Sequence, residues 1–187
     1  MDKNTQKGQE KKKRHRKNGE GLREMDDSMK HNNICILGTP EGEEQQGVKN
    51  LFEKVMMENF LNVMREKVTQ IQEIQRVPIK RNPKWPISRH ITIKMAKFQD
   101  KERILKAARK KQEVTYKEAP IRLATDFSME TLQARRECQK IFQVMRYRGL
   151  QPRLLYPARI SIKMEGQIRS FPDKRTLKEY TSMKPAL

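Results

Sequence analysis

Apolar residues recur at regular spacings from residue 33 onward, and the spacing alternates between that of a strand and that of a helix. Residues 34–37 are apolar and are followed by Gly38, which predicts a short strand. Apolar residues then return at helical spacing and predict a helix with one buried face: Val48, Leu51, Phe52, Val55 and Met56.

Two further strands are predicted in the middle of the chain. Residues 68–77 include Ile71 and Ile74 and end at Pro78, which stops a strand. In residues 89–97 apolar and polar positions alternate, which predicts a strand with one covered face. The apolar positions of this strand are Ile91, Ile93 and Met95.

The next predicted elements are a helix and a strand, and they complete the order of elements of a known domain type. Residues 99–111 predict a second helix, and residues 114–123, broken at Pro120, predict a final strand. Strand, helix, strand, strand, helix, strand is the order of ferredoxin-type domains. We therefore predict an α+β fold in which residues 32–124 resemble an RNA-recognition motif, with helices on one side of an antiparallel sheet and the other sheet face open.

Residues 125–187 predict a second, smaller α+β domain. Ser128 is a suitable N-cap for a helix with an apolar stripe, and Gly149 suits its C-terminal end. Asp173 is a candidate cap for a last short helix. Between these helices the pattern predicts three short strands, over residues 153–155, 159–164 and 167–171.

The first 31 residues show no repeating apolar positions, and we predict a disordered basic tail. It contains the run of basic residues 11–17. Such a run is typical of a nuclear address or a nonspecific phosphate contact, and a solvated tail with neither role is an equal alternative. No heptad repeat is visible in this segment.

Positive charge is unevenly distributed over the chain, whose formal net charge is +19. Residues 31–75 carry 4 Lys and Arg against 7 Asp and Glu, a net charge of −3. Residues 76–122 carry 15 against 4, a net charge of +11, and residues 123–187 carry 13 against 6, a net charge of +7. Such basic segments favour a nucleic-acid partner.

Several other classes of protein lack support in the sequence. The spacing of His, Cys and carboxylates matches no metal site or catalytic constellation, so we predict neither enzyme activity nor a cofactor. Cys35 and Cys138 fall within apolar patterns and are predicted to be buried free thiols. No apolar run is long enough for a secretory signal or a membrane span, so we expect no membrane partner.

Three groups of residues are predicted to contact nucleic acid. Basic side chains would hold phosphates, and Trp85 or Tyr156 would stack on bases. The first group lies on a proline-rich loop and comprises Lys80, Arg81, Lys84 and Trp85. The second lies on the polar face of the strand over residues 89–97 and comprises Arg89, His90 and Lys94. The third lies in the second domain and comprises Arg135, Arg136, Arg153, Tyr156 and Arg159.

Each aromatic candidate has an alternative role. Trp85 is equally well explained as a residue that closes the end of a small core, and Tyr156 as a half-buried packing residue. The two strands predicted at the centre of the sheet contain no Phe, Tyr or Trp, although RNA-recognition motifs normally stack bases there. We therefore expect binding mainly through charge, with weak sequence preference and strong salt dependence.

Several runs of sequence resemble the first open-reading-frame proteins of long interspersed nuclear element (LINE) retrotransposons. They are residues 70–76, 120–123 and 130–137, and residues 151–153 with 156–158. The similarity covers about residues 32–187. It implies an unusual RNA-recognition domain and a small C-terminal domain that together clamp single-stranded RNA, and a role as a nucleic-acid chaperone. By position it implies RNA contacts for Lys80, Lys84, Arg135, Arg136 and Tyr156.

The prediction is therefore a protein that binds single-stranded RNA and packages retrotransposon RNA into a ribonucleoprotein for transposition. Single-stranded DNA and, through shared RNA, a reverse transcriptase complex are further expected partners. We expect cytoplasmic ribonucleoprotein particles as its location, with the nucleus as a second one. Because the family's coiled coil is not recognisable, a homotrimer is not predicted. The family's C-terminal tail is also not recognisable. A truncated or domesticated copy that acts as a regulatory protein with weak RNA binding is the alternative.

Overall fold

The computed structural model describes residues 3–42, 47–66, 69–84, 86–111, 113–164, 166–171 and 175–177. The chain forms two compact units. One comprises Met25–Asp126, and the other comprises Met1–Glu24 together with Phe127–Leu187. Both units contain helices and antiparallel sheet, so the predicted α+β class is confirmed.

Helix α1 spans Lys3–Met29, and the prediction of a disordered N-terminal tail is therefore wrong over this range. The segment contains no proline and is rich in Lys, Arg, Glu and Gln, which are good helix formers. Ion pairs one turn apart, such as Arg16 with Glu20 at 3.6 Å, add to this preference. Apolar periodicity missed the helix because residues 8–20 are all exposed and bury no face.

The unit Met25–Asp126 contains one sheet with the strand order β2-β3-β1-β5-β4, in which neighbouring strands are antiparallel. Its strands are β1 (Asn33–Leu37), β2 (Ile71–Val77), β3 (His90–Met95), β4 (Val114–Tyr116) and β5 (Ala119–Thr125). Its further helices are α2 (Val48–Asn59), α3 (Leu61–Glu66) and α4 (Phe98–Lys110). Central strands β1 and β3 are thus covered on both edges by other strands.

The apolar pattern of these elements fixes which side of the sheet is covered. Along β3 the alternate residues Ile91, Ile93 and Met95 are buried, as the alternation predicts. They share one core with strand β1 and with the apolar residues of α2 and α4. Both helices therefore lie on the same face of the sheet, and the polar residues of β1 and β3 point to the other face.

The last predicted strand of this unit is two strands in the structure. The chain reverses at Lys117 and Glu118, which have φ values of 51° and 65°, and β4 and β5 form the resulting hairpin. The predicted break at Pro120 is wrong. Pro120 precedes the β5 residues that pair with β1, so its missing N–H removes no hydrogen bond from that ladder. Helix α3 was not predicted from the sequence.

The second unit contains helix α5 and a sheet of three antiparallel strands, β6-β7-β8. Helix α5 spans Met129–Tyr147, and the Ser128 hydroxyl caps it by accepting from the Thr131 backbone N–H at 3.2 Å. The strands are β6 (Arg153–Leu155), β7 (Arg159–Met164) and β8 (Gln167–Phe171). The predicted cap residue Asp173 lies outside the described residues.

The core of this unit lies between α5 and the sheet. Cys138 and Met145 of α5 pack with Ile160 and Ile162 of β7. Cys138 is a buried thiol outside any disulfide, as predicted, whereas Cys35 is only half-buried. Along β7, Ile160 and Ile162 are buried and Arg159 and Lys163 are exposed, whereas the polar residue Ser161 is also buried. This core fixes the β6–β7 turn next to the N-terminal half of α5.

Candidate nucleic-acid interface

Arg89 fixes the base of the loop between β2 and β3. The two strands are paired up to Val77 and His90, so both limbs of the loop leave the sheet side by side. The Arg89 guanidinium donates to the two Glu41 carboxylate oxygens at 3.1 and 2.9 Å, and to the Ile79 carbonyl at 2.7 Å. Arg89 thereby ties the first limb of this loop to the loop that follows β1.

Buried Arg76 holds the same junction together. Its guanidinium donates to the Arg89 carbonyl at 2.7 Å and to the Thr39 hydroxyl at 3.2 Å. The hydrogen bonds from Arg89, followed by the nearby Arg76 charge, lower the pKa of Glu41 from 4.5 to about 2, against an opposing contribution from burial. Glu41 is therefore ionised at neutral pH, and the anchor is a charged one.

These contacts change the role of one predicted site residue. Arg89 was predicted to hold a phosphate, but its guanidinium already donates to Glu41 and to the Pro78 and Ile79 carbonyls. Its backbone N–H also donates to Glu41, at 2.7 Å. We therefore assign Arg89 to positioning the loop.

The rest of the β2–β3 loop presents both cations and apolar side chains to solvent. Ile79 is 77% exposed and Ile87 is 82% exposed. The Asn82 side chain accepts from the Lys84 backbone N–H at 3.1 Å, which forms a local turn. The predicted cations of this loop are all exposed: Lys80, Arg81 and Lys84. Trp85 lies outside the described residues.

The uncovered face of the sheet is nearly neutral at its centre. Strands β1 and β3 are described throughout and contain no Phe, Tyr or Trp. Predicted site residue Lys94 is half-buried on β3 and pairs across the strands with Glu73 of β2 and Asn33 of β1. Opposite charges at facing positions attract, so Lys94 is partly compensated by Glu73. His90 is also half-buried on this face.

Cys35 lies at the middle of this face. Its Sγ is 3.8 Å from the Thr92 hydroxyl. Burial, with a smaller effect from the Asp126 charge, raises the pKa of the Cys35 thiol to about 12. The thiol is therefore neutral at physiological pH and supplies neither a nucleophile nor a charge to this face.

In the second unit, Arg135 of α5 contacts the β6–β7 turn and the Phe127 ring, which is itself paired with Tyr156. Its guanidinium donates to the Pro157 carbonyl at 2.9 Å and, more weakly, to the Leu155 carbonyl at 3.4 Å. The guanidinium carbon also lies 4.9 Å from the centre of the Phe127 ring. Such a geometry is that of a cation–π contact. Arg135 therefore has an internal role that charge alone did not reveal.

The Tyr156 ring is stacked on the Phe127 ring. The centres of the Phe127 and Tyr156 rings are 6.3 Å apart, and the ring planes are inclined by 27°. Tyr156 is nevertheless 46% exposed. Both roles considered for this residue are thus compatible with the structure, because Tyr156 packs on Phe127 while about half of its surface is exposed to solvent. Phe127 was missed in the sequence because it lies in a linker with no periodic pattern.

Three further predicted cations of this unit are exposed: Arg136, Arg153 and Arg159. Arg159 pairs with Leu155, the residue before Tyr156, so its backbone lies beside the turn that carries the tyrosine. Alternation along β7 places exposed Lys163 on the same sheet face as Arg159. Lys163 was not among the predicted contacts, although the alternation of β7 already placed it outward.

The described residues contain no cluster of three or more His, Cys, Asp or Glu that is arranged to hold a metal ion. Among the described helices, none is both long and apolar enough to span a bilayer. On the β2–β3 loop and the β6–β7 turn, the exposed groups described above are cations, two isoleucines and the Tyr156 ring.

Comparison with known proteins agrees with this division of the chain. Residues 31–126 match the model of the L1 transposable element RBD-like domain, and residues 129–187 match that of the L1 transposable element dsRBD-like domain. The first match covers more than half of the chain. This chain therefore belongs to the L1 transposable element family, and the predicted kinship with LINE retrotransposon proteins is confirmed.

Curated relatives are considerably longer than this chain. The mouse LINE-1 retrotransposable element ORF1 protein is 42% identical over 170 residues, which are 90% of this chain and 48% of the relative. The mouse LINE-1 type transposase domain-containing protein 1 is 36% identical over 90% of this chain and 22% of its own length. A solved C-terminal domain of ORF1p from mouse LINE-1 is 45% identical and covers 32% of this chain and 92% of its own, with a TM-score of 0.29.

Proposed function

We propose that this protein binds single-stranded RNA through one surface in each of its two units. The loop surface comprises Lys80, Arg81 and Lys84. The turn surface comprises Arg136, Tyr156 and Arg159. The observation that carries the proposal is the Tyr156 ring, which is held by Phe127 yet about half exposed on a basic turn. An aromatic face beside cations is suited to a base and its phosphates.

The two surfaces would contribute differently to binding. On the loop surface, flexible lysines and an arginine would attract phosphates without reading bases. On the turn surface, Tyr156 would stack on an unpaired base, which is worth about 1–3 kcal/mol per base. Every base has a π-face, so neither contact selects a sequence. We expect affinity with weak sequence preference.

The larger sheet supports a finer structural assignment. Its second, third, first and last strands lie side by side in the order β2-β3-β1-β5, and two helices cover one face. We propose that this unit is an RNA-recognition-motif-like domain that has lost the stacking residues of its central strands. Its RNA would then follow the β2–β3 loop and not the centre of the sheet.

Binding of this kind is compatible with a nucleic-acid chaperone. A protein that holds unpaired strands through phosphates and unspecific stacking lowers the cost of partly melted states and requires no nucleotide. We propose that the chain coats retrotransposon RNA in a ribonucleoprotein, where a reverse transcriptase complex would be associated through the shared RNA. The name of the mouse ORF1 relative is consistent with such a setting.

The decisive experiment measures affinity for a single-stranded RNA oligonucleotide over a salt series. With roughly five to eight phosphate contacts, log affinity should fall against log salt with a slope of about −3.5 to −5.6. Oligonucleotides of different sequence and equal length should give the same slope. A protein that binds weakly and without salt dependence would instead fit the regulatory alternative.

A further inference from the structure

We infer that Ile79 and Ile87 form an apolar wedge that enters the end of a base-paired RNA and separates its last base pair. The inference rests on the proposed function, since it assigns the strand-separating step to particular residues. Both isoleucines are strongly exposed on the β2–β3 loop, at 77% and 82%. A single exposed isoleucine is ordinary on a protein surface, but these two stand on the limbs of one basic loop.

The loop is held at its base, as a wedge requires. Its limbs leave the sheet side by side after the Val77–His90 pair. Arg89 then donates to the Ile79 carbonyl at 2.7 Å and to Glu41 at 2.9 Å. A side chain that must push between stacked bases needs a fixed backbone, and these contacts supply one on the limb that carries Ile79.

Charge complementarity identifies the occupant. Between the two isoleucines in the sequence lie three exposed cations, Lys80, Arg81 and Lys84. The segment between the isoleucines contains no acidic residue. An apolar protein partner would leave these cations unpaired, whereas the phosphates on either side of a frayed base pair would neutralise them. Isoleucine is among the residues that enter base steps and unstack them. The combination fits the end of a nucleic-acid duplex.

The wedge would act by covering base faces that become exposed when the terminal pair opens. In water these faces restack at once. In the complex the exposed base faces would pack on Ile79 and Ile87 in place of the neighbouring base pair. The loop cations would bind the phosphates of the separated strands. The opened pair is therefore stabilised relative to the closed one, and a competing strand gains time to pair.

The test compares strand exchange with single-strand binding in the whole 187-residue chain. The variant Ile79→Gln with Ile87→Gln replaces the wedge by polar side chains of similar length and keeps every backbone carbonyl. The matched control is Met57→Gln, which changes another exposed apolar residue of the same unit on helix α2. Ile79→Leu with Ile87→Leu is the conservative rescue. Trp85, in the same loop by sequence, is kept in all variants.

Two quantities are measured at one salt concentration: the exchange rate of a labelled RNA duplex and the affinity for single-stranded RNA. We expect the glutamine variant to slow exchange about tenfold while its affinity changes by less than about twofold. Control and leucine variants should keep the wild-type rate. Unchanged exchange in the glutamine variant overturns the wedge, and so does a parallel loss of exchange and affinity, which would place the isoleucines in the single-strand site.

If the glutamine variant shows no thermal unfolding transition and is therefore not folded, a second measurement on the wild-type protein tests the wedge. A 2-aminopurine placed in the terminal base pair becomes more fluorescent when it unstacks. Wild-type protein should raise this fluorescence, and a flat signal under full binding overturns the wedge. Absence of any salt-dependent binding of wild-type protein to single-stranded RNA is a different result, because it contradicts the proposed function itself.

Discussion

The β2–β3 loop and the β6–β7 turn both present basic residues, but they differ in what holds them and in what they offer. The loop is anchored by an ion pair between Arg89 and Glu41 and carries aliphatic side chains between its cations and the sheet. The turn is anchored by Arg135 and carries a stacked tyrosine. Arg76 and Arg89 build the first surface and Arg135 builds the second, and in each case other cations are exposed to a ligand. A basic segment is therefore not a uniform phosphate-binding surface.

The largest expected effect comes from removing the anchor of the turn. Arg135→Ala deletes two hydrogen bonds to carbonyls and the contact with Phe127. We expect the free energy of unfolding of the second unit to fall by about 2–4 kcal/mol. Arg135→Lys should restore little, because an ammonium group cannot reproduce the planar guanidinium. Thermal unfolding measures both. If Arg135→Ala unfolds like the wild type, Arg135 is not an anchor.

Substitutions of Tyr156 test whether its ring stacks on RNA bases. Tyr156→Ala should weaken single-stranded RNA binding by about 1–3 kcal/mol, that is, by about fivefold to more than a hundredfold. Tyr156→Phe keeps the ring and should bind nearly as the wild type. Fluorescence anisotropy with a labelled oligonucleotide gives both affinities. Equal losses in the two variants would assign the effect to the hydroxyl and would contradict a stacking platform.

The cations of the loop should act through salt dependence. Replacing Lys80, Arg81 and Lys84 by glutamine removes up to three phosphate contacts, so the slope of log affinity against log salt should become shallower by about 2. Thermal stability should hardly change, because all three side chains are exposed. An unaltered slope would place the RNA elsewhere in this unit.

The smallest expected effect concerns the loop anchor and pH. The pKa of Glu41 is lower in the folded protein than its ordinary value of 4.5. Its contribution to stability is therefore complete above that value and is lost as pH falls toward about 2. Glu41→Gln should be less stable than the wild type at pH 6, and the difference should shrink by pH 3. Melting temperatures at the two pH values test this, and a constant difference would contradict the charged anchor.

Sequence patterns predicted the mixed fold well where apolar spacing is regular. The alternation over β3 and the stripe of α2 correspond to buried residues, and the stripe of α5 contributes buried Cys138 and Met145. Burial of these positions holds the units together. Helix α1 was missed because it has no buried face over residues 8–20. The turn at Lys117 and Glu118 was missed because neither residue is typical of positive φ.

The candidate site was harder to predict because charge does not reveal what a cation contacts. Arg76 and Lys101 belong to the most basic segment, yet both are buried. The Lys101 ammonium donates to the His31 carbonyl, and burial lowers its pKa. With Arg89 paired to Glu41, three cations of this segment hold the protein together. Their roles depend on contacts between positions far apart in sequence, which periodicity does not report.

The neighbours Arg135 and Arg136 offer the most direct test of this division between anchors and ligands. The salt dependence of RNA affinity should be measured for Arg135→Gln and Arg136→Gln alongside their melting temperatures. We predict that Arg136→Gln makes the slope shallower by about 0.7 and leaves the melting temperature unchanged. Arg135→Gln should lower the melting temperature clearly. Identical changes in slope with no loss of stability in either variant would contradict the account.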